Sequence, residues 1–232
     1  ILTDELSSLL FCPSEAAVDQ LKREGIATGQ RPDLRVEVSG DLMLDTARHH
    51  GGLPLPSSAD ADSVLLTMHR PSNVDHPDRL RNWIEAIGLQ AAKRGWRVIF
   101  PVHPRTAKNL ALAYGPNWKK EDAFGAFELH EPAGYSDVLN WLGDVRQVWT
   151  DSGGLQKEAF FMHRPAVVLR DTTEWVELID LKFARLCPQP EELGGCVDSF
   201  ETSPPIDWNK NLYGNGKAAE AIAKTLQEWL NQ

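Results

Sequence analysis

The 232-residue sequence has few cysteines and no long apolar segment. Its three cysteines, Cys12, Cys187 and Cys196, form no Cys-x-x-Cys pair, and an odd number cannot all pair within one chain. A chain of this length does not need disulfides to fold, so we predict free thiols in a reducing compartment. No run of about 18 apolar residues occurs, so no membrane span is expected. The opening residues Ile1–Asp4 lack the basic flank and apolar stretch of a signal peptide, which favours a cytoplasmic location.

Positive charge is also scarce. The chain has 24 Lys and Arg against 33 Asp and Glu, a net charge of -9, and its pI is about 5.3. General binding to nucleic acids or to anionic membranes needs a basic face, so neither partner is expected. The balance still allows one small anionic ligand at a local site. An apolar fraction of 42 % and a mean hydropathy of -0.35 are ordinary for a globular protein with a sizeable core.

After residue 62 the sequence contains a regular alternation of short apolar runs and segments with helical spacing. The expected strands are 64–67, 98–100, 127–129, 145–150 and 166–169. The expected helices are 80–93, 110–114, 135–142, 155–162 and 217–230. This alternation predicts an α/β fold with a Rossmann-like, doubly wound parallel sheet. Upstream, a short strand, a helix and a second strand lie within 1–50, and the Gly-, Pro- and Ser-rich segment 51–62 is the expected linker.

Polar motifs follow four of the expected strands directly. His69, His103, Ser152 and Arg170 each lie just beyond a strand. Doubly wound sheets bind their ligands at the carboxyl ends of the strands. The shared position therefore predicts one ligand site. The spacing of His69, His76 and His103 fits no compact ligand motif, so a metal is not expected.

The most informative motif is Thr150–Ala159, which passes from a strand through Asp-Ser-Gly-Gly into a helix. Free amides at a helix N-terminus suit a phosphate, Gly153 and Gly154 allow its close approach, and Ser152 can add a hydroxyl donor. An equally good interpretation is that Asp151 or Ser152 only caps the helix. Asp-Ser-Gly-Gly also surrounds the nucleophile of trypsin-like proteases, but those are all-β barrels, which the α/β rhythm argues against.

Other candidates have two interpretations each. Glu158 could accept both hydroxyls of a ribose, or be a solvated helix residue. His69 and Arg70 could contact a diphosphate, with His69 also moving protons, or they could make ordinary backbone and carboxylate contacts. Arg170 could neutralise a phosphate and Thr173 could bond sugar hydroxyls, or the segment could be an ordinary turn.

Five motifs together resemble those of non-hydrolysing UDP-N-acetylglucosamine 2-epimerases. They are His-Arg-Pro-Ser-Asn-Val at 69–74, Pro-Val-His-Pro-Arg at 101–105, the segment 150–158, Arg-Asp-Thr-Thr-Glu at 170–174 and Tyr-Gly-Asn-Gly-Lys at 213–217. The resemblance covers essentially the whole chain. It implies the GT-B architecture of two Rossmann-like lobes, of which this chain would contain the C-terminal, UDP-binding lobe.

The resemblance also implies roles. Ser152 and Gly153 would hold the phosphates, Glu158 the ribose and the backbone near Val138 the uracil, while His69 matches an active-site histidine. The remaining members of the UDP- and substrate-binding set are Arg70, His103, Gly154, Arg170 and Thr173. The reaction inverts C2 of the sugar by eliminating UDP and re-adding it on the other face. It needs no metal and no other cofactor. The expected partner is a UDP-sugar, and the resemblance leaves a homodimer open.

Two departures from the family's pattern matter. The N-terminal lobe's Gly-x-Arg-Pro-Glu motif and acid–base carboxylates are missing, so this chain alone is expected not to epimerise. We expect a remnant of that lobe at 1–50, the UDP-binding lobe at 63–214, and a helix at 215–232 that packs back toward the first lobe. Trp175-Val176-Glu177 replaces the more usual Arg-Pro-Glu and is similar to members acting on 2,3-diacetamido sugars for surface polysaccharides. A non-catalytic nucleotide-sugar binding module and a GT-B glycosyltransferase are the alternatives.

Overall fold

The structure is a computed structural model that describes residues 2–51, 61–203 and 206–231. The chain forms two compact units, one from 1–52 with 209–232 and the other from 53–208. Most of the predicted linker 51–62 lies outside the described residues. All three cysteines are free.

The larger unit contains a six-stranded parallel sheet with a helix or turn between successive strands. The strands β1 (Leu9–Cys12) and β2 (Arg35–Val38) belong to the smaller unit. The strands of the larger unit are Ser63–Thr67 (β3), Arg97–Pro101 (β4), Phe127–His130 (β5), Gln147–Thr150 (β6), Ala166–Val168 (β7) and Ala184–Leu186 (β8). Its helices are Pro71–Val74 (α4), Pro77–Arg94 (α5), Pro104–Tyr114 (α6), Tyr135–Asp144 (α7), Gly153–Phe161 (α8), Val176–Asp180 (α9) and Leu193–Thr202 (α10).

The strand order in this sheet is β5-β4-β3-β6-β7-β8. Counted from β3, this is the order 3-2-1-4-5-6 of a doubly wound dinucleotide-binding fold, which confirms the predicted fold class. The chain starts in the middle, winds outward through β4 and β5, and then crosses to β6 on the other side. Such a sheet opens a crevice at its carboxyl edge where the winding reverses, here between β3 and β6.

Apolar patterning explains why the sheet and α5 form one core. Four residues of β3 and all four of β6 are buried, as expected for central parallel strands covered on both faces. α5 places Leu80, Trp83, Ile84, Ile87 and Ala91 on one buried face, the spacing of a single helical stripe. Gly95 ends this helix in the left-handed conformation, with φ of 68°.

The smaller unit joins the two ends of the chain. It contains Leu2–Leu6 (α1), Leu9–Cys12 (β1), Glu15–Arg23 (α2), Arg35–Val38 (β2), Leu42–Gly51 (α3) and Ala218–Leu230 (α11), with β1 and β2 paired in parallel. The Asp45 carboxylate on α3 accepts the first amides of α11, from Ala218 at 3.1 Å and Ala219 at 2.7 Å. A carboxylate at a helix N-terminus satisfies unpaired amides and the helix dipole together.

The sequence-based element bounds differ from the structure in ways that have local causes. The apolar run at 6–12 divides into the end of α1 and the strand β1, because Ser7 and Ser8 interrupt it. Two helices begin earlier than predicted, α5 at Pro77 and α6 at Pro104, since proline suits the first helical position. The apolar pattern did not predict β8 or the helices α1, α4, α9 and α10. Most of these are five residues or fewer, which is too short to show a period.

At Gly40 the N-terminal and C-terminal segments of the smaller unit approach each other closely. Its φ is +82°, and an added Cβ would lie 3.0 Å from the Tyr213 carbonyl oxygen and 3.4 Å from the Gly214 Cα. We predict that Gly40→Ala lowers the free energy of unfolding by roughly 2–4 kcal/mol, from backbone strain plus steric overlap. Urea denaturation, with amide hydrogen exchange of α3 and α11, measures the loss.

Gly25→Ala is the matched control. Gly25 has the same φ of +82° but nothing within 4 Å of its Cβ position, so only the backbone cost of about 1–2 kcal/mol is expected. Equal losses in both variants would show that the Gly40–Tyr213 approach does not stabilise the unit.

Candidate active site at the carboxyl edge of the sheet

A cavity of about 380 Å³ lies at the carboxyl edge, where the winding of the sheet reverses. It is lined by the last residues of β3 and β4, by residues that follow β3, β4, β5 and β6, and by residues of α7 and α8. These are Thr67, Met68, His69, Pro101, His103, Pro132, Ala133, Tyr135, Val138, Ser152, Leu155 and Glu158. The cavity brings together five residues singled out from the sequence, His69, His103, Val138, Ser152 and Glu158.

The Asp151 carboxylate fastens the two strands that flank the crevice. Asp151 is fully buried after β6, and it accepts the backbone N–H groups of His69 at 3.0 and 3.1 Å and of Arg70 at 2.8 Å. The Asn73 side-chain amide donates to it at 3.2 Å and to the Leu169 carbonyl at 2.8 Å. One carboxylate therefore fixes the chain that leaves β3 against the chain that leaves β6.

The N-terminus of α8 faces the same crevice. The Ser152 hydroxyl oxygen accepts the Leu155 N–H at 3.5 Å, so the serine caps the helix, and it also lines the cavity. The Thr150 hydroxyl accepts the Ser152 N–H at 2.9 Å and contacts the Thr67 hydroxyl at 2.6 Å. Ser152 therefore caps the helix, and this is compatible with anion binding because a cap uses one amide of the first turn.

Glu158 is a buried carboxylate between one and two turns into α8. Only 8 % of the residue is exposed, and burial raises the pKa of its carboxyl group above the ordinary value. A hydrogen bond from Tyr135 and the charge of Lys157 act in the opposite direction without cancelling this effect. The interpretation of Glu158 as a solvated helix residue is therefore wrong.

Two histidines line the cavity with different hydrogen-bonding roles. His103 caps α6, and its Nδ1 accepts the Arg105 N–H at 3.1 Å, so its proton lies on Nε2. His69 Nδ1 lies 3.3 Å from Asp151 Oδ1, and the two imidazole centroids are 5.6 Å apart. Each ring is thereby oriented through Nδ1, which leaves Nε2 as the nitrogen able to meet a ligand.

Arg170 and Thr173 lie outside this cavity, and their side chains have partners in the protein. The Arg170 guanidinium forms a two-pronged ion pair with Glu174 at 2.9 and 3.0 Å, which lowers the pKa of the Glu174 carboxyl. The Thr173 hydroxyl donates to Gln156 Oε1 at 2.6 Å and accepts the Trp175 N–H at 3.1 Å. Arg70 connects the chain after β6 with the Arg170–Glu174 ion pair. Its Nε donates to the Asp151 carbonyl, and its Nη2 lies 3.9 Å from Glu174.

Gly153 is the first residue of α8 and lies beside the side chains of Arg70 and Glu174. A Cβ at this position would lie 3.5 Å from Glu174 Oε2 and 3.7 Å from Arg70 Nη2. The Trp175 indole N–H donates to the Gly153 carbonyl at 2.8 Å. Gly154 follows in the first turn of the same helix.

Sequence reasoning missed several residues that build the site. Asp151 appeared only as a possible cap, and Tyr135, Lys157 and Trp175 were not assigned to the site. Lys157 is buried with its Nζ 4.0 Å from the Trp175 ring centroid, a cation–π contact. The sequence signal that could have identified Lys157 is its charge within the mostly apolar helix α8.

The described ranges contain no group of three or more His, Cys, Asp or Glu side chains arranged to hold a metal ion. Among the helices of 2–51, 61–203 and 206–231, none combines the length and the hydropathy needed to cross a membrane.

Comparison with known proteins agrees with this geometry. The family model described as UDP-N-acetylglucosamine 2-epimerase matches residues 1–227. A UDP-2,3-diacetamido-2,3-dideoxy-D-glucuronate 2-epimerase from Pseudomonas aeruginosa is 36% identical over 237 residues, covering 97% of this chain and 61% of the relative. A UDP-N-acetylglucosamine 2-epimerase from Methanocaldococcus jannaschii is 31% identical, covering 97% of this chain and 62% of the relative.

The solved structure of a UDP-GlcNAc 2-epimerase from Methanocaldococcus jannaschii, in complex with UDP-GlcNAc and UDP, superposes with a TM-score of 0.81 at 31% identity. The superposition covers 98% of this chain and 63% of the solved chain. The larger unit therefore has the fold of the C-terminal lobe of a GT-B protein. The chain spans about three fifths of the length of the relatives it matches.

Asp151→Asn tests whether the buried carboxylate holds the crevice together. The variant has one acceptor oxygen and places an NH₂ group against N–H donors, so we predict a loss of roughly 2–4 kcal/mol in the free energy of unfolding. Urea denaturation followed by tryptophan fluorescence measures it. Asp171→Asn, at an exposed carboxylate after β7, is the control and should change little. Comparable stability of both variants would contradict the role of Asp151.

Proposed function

Because the chain belongs to the UDP-N-acetylglucosamine 2-epimerase family, we propose that it binds the UDP portion of a UDP-N-acetyl sugar and stabilises UDP as the leaving group of 2-epimerisation. The product would serve cell-surface polysaccharide synthesis. The observation that carries the proposal is the order of chemical groups along the cavity, from apolar through a buried carboxylate to a helix N-terminus.

The order follows from the sheet. Pro132 and Ala133 follow β5, and Val138 lies on α7, the next helix. These residues offer an apolar surface for a uracil ring. Glu158 offers two carboxylate oxygens for the two ribose hydroxyls. The N-terminus of α8 at Ser152 lies at the β3–β6 crevice and suits the diphosphate. From β5 to β6 is three strand spacings, about 14 Å, which suits an extended nucleoside diphosphate.

The proposed catalytic contribution concerns charge that develops on the departing UDP. Breaking the bond between the sugar and the diphosphate places negative charge on a phosphate oxygen. The first amides of α8, the His69 imidazole and Arg70 are fixed around the crevice before reaction, so they stabilise that charge without having to reorganise. His69 is the catalytic residue of this set, since its Nε2 would meet the diphosphate.

The proposal also concerns which sugar is bound and which part of a complete GT-B enzyme this chain represents. Trp175 stands beside Gly153, and the relative from Pseudomonas aeruginosa is named for a 2,3-diacetamido sugar, so such a sugar is the alternative substrate to UDP-GlcNAc. We also propose that 1–50 belongs to the first lobe of a GT-B enzyme, and that the acid–base groups acting at C2 lie in the part of the relatives that this chain does not match.

Calorimetric titration with UDP tests the proposed site through Glu158. We predict that Glu158→Gln weakens UDP binding about tenfold at neutral pH, because a carboxamide is a poorer acceptor than a carboxylate for the ribose hydroxyls. Since burial raises the pKa of Glu158, the protonated acid forms as the pH falls through that pKa. Wild-type affinity should then fall toward that of the variant, and the difference should be largest above the pKa.

Glu220→Gln, at an exposed glutamate of α11, is the matched control and should bind UDP like the wild type. Equal affinity of the wild type and Glu158→Gln at every pH would contradict the ribose assignment. The same samples, incubated with UDP-GlcNAc and followed by NMR, should bind without forming the 2-epimer. Sugar transfer to an acceptor would instead favour the glycosyltransferase.

A further inference from the structure

A second cavity, of about 250 Å³, shares no lining residue with the cavity described above, and one of its walls is Arg70, the residue after His69. Its walls come from the segments that follow β3, β7 and β8 and from the start of α5. The polar residues among them are Arg70, Ser72, Asn73, Arg79, Arg170, Asp171, Thr172 and Gln189. We propose that this cavity binds a carboxylate on the sugar of the UDP-sugar substrate, and that Arg79 is the residue that selects it.

The charge of the cavity supports an anionic occupant. Three guanidinium groups and one carboxylate, that of Asp171, line it in a chain whose net charge is -9. Glu174 neutralises Arg170 through two hydrogen bonds and lies 3.9 Å from Arg70. Arg79 therefore carries the positive charge that is left for a ligand, since Arg70 shares Glu174 with Arg170.

Arg79 is held in place by neutral groups. Its Nη1 donates to Gln189 Oε1 at 3.1 Å, its Nη2 donates to the Pro188 carbonyl at 2.8 Å, and its guanidinium lies 5.9 Å from the Trp83 ring centroid. Within the described part of the chain, no carboxylate lies within ion-pair distance of it. A half-buried guanidinium that is oriented but not neutralised is preorganised for a planar anion such as a carboxylate.

The direction of the ligand places the sugar at this cavity. This step rests on the proposed function, in which the base lies toward β5 and the diphosphate lies at Ser152. A sugar attached beyond the diphosphate continues along the edge of the sheet, past Arg70, toward β7 and β8. The phosphates already have the N-terminus of α8, so Arg79, which lies farther along, is left for a charge on the sugar itself.

Calorimetric titration of this chain with three probes tests the inference. The probes are UDP, UDP-N-acetylglucosamine, and the same nucleotide sugar with a carboxylate at C6 in place of the hydroxymethyl group. We predict that the wild type binds the carboxylate form about tenfold more tightly than the neutral form, the gain expected from one charge-assisted contact. Arg79→Gln should abolish this preference while leaving UDP affinity unchanged.

Two further variants keep the test decisive. Arg79→Lys retains the charge without the planar fork and should keep part of the preference, which covers the case in which Arg79→Gln fails to fold. Lys93→Gln removes one positive charge from the exposed far end of α5 and should leave all three affinities unchanged.

The outcomes separate this inference from the proposed function. Equal binding of the two sugars, or a preference that survives in Arg79→Gln, would overturn the carboxylate site while the UDP site stands. An equal loss of UDP affinity in Arg79→Gln would assign Arg79 to the diphosphate and also overturn it. No UDP binding by the wild type would overturn the proposed function and this inference with it.

Discussion

The buried Asp151 carboxylate is the contact on which the geometry of the site depends. It lies after a central strand, is fully removed from solvent, and accepts N–H groups from the chain that follows the neighbouring strand. A buried charge is costly unless every oxygen is hydrogen-bonded, so the arrangement tolerates little displacement. His69 and Arg70 are fixed at the crevice because their own backbone amides are the donors.

The same contact extends into the core. Asn73 donates to Asp151 and to the carbonyl of Leu169 after β7, and its side-chain oxygen accepts the Trp83 indole N–H at 3.2 Å. Trp83 lies on the buried face of α5. A polar network thus connects the carboxyl ends of three strands to the largest helix of the core, and the site inherits the rigidity of that core. This rigidity matters because the net charge of the chain is -9 and repels an anion. Hydrogen-bond donors that are fixed at one place can still bind it.

Much of the architecture was predictable because the strands of a parallel α/β sheet are short apolar runs that alternate with helical segments in the sequence. The carboxyl-edge position of His69, His103 and Ser152 followed from that rhythm alone. What could not be predicted depends on distances between segments far apart in the sequence. Arg170 was expected to face a phosphate, and its place in a second cavity beside Arg79 and Gln189 is visible only once the chain after β7 packs against α5 and the chain after β8. The burial that raises the pKa of Glu158 likewise arises only in the folded chain, and helical spacing does not reveal it.

The central claim is that UDP binds along one edge of the sheet, from α7 across to the start of α8. An NMR titration of the ¹⁵N-labelled chain with UDP tests it most directly. We predict amide shifts at 69–70, 134–138 and 152–158, with no change at 218–230. Saturable binding that leaves the amides of Ser152 and Gly153 unchanged would contradict the account, because the helix N-terminus would then not hold the diphosphate.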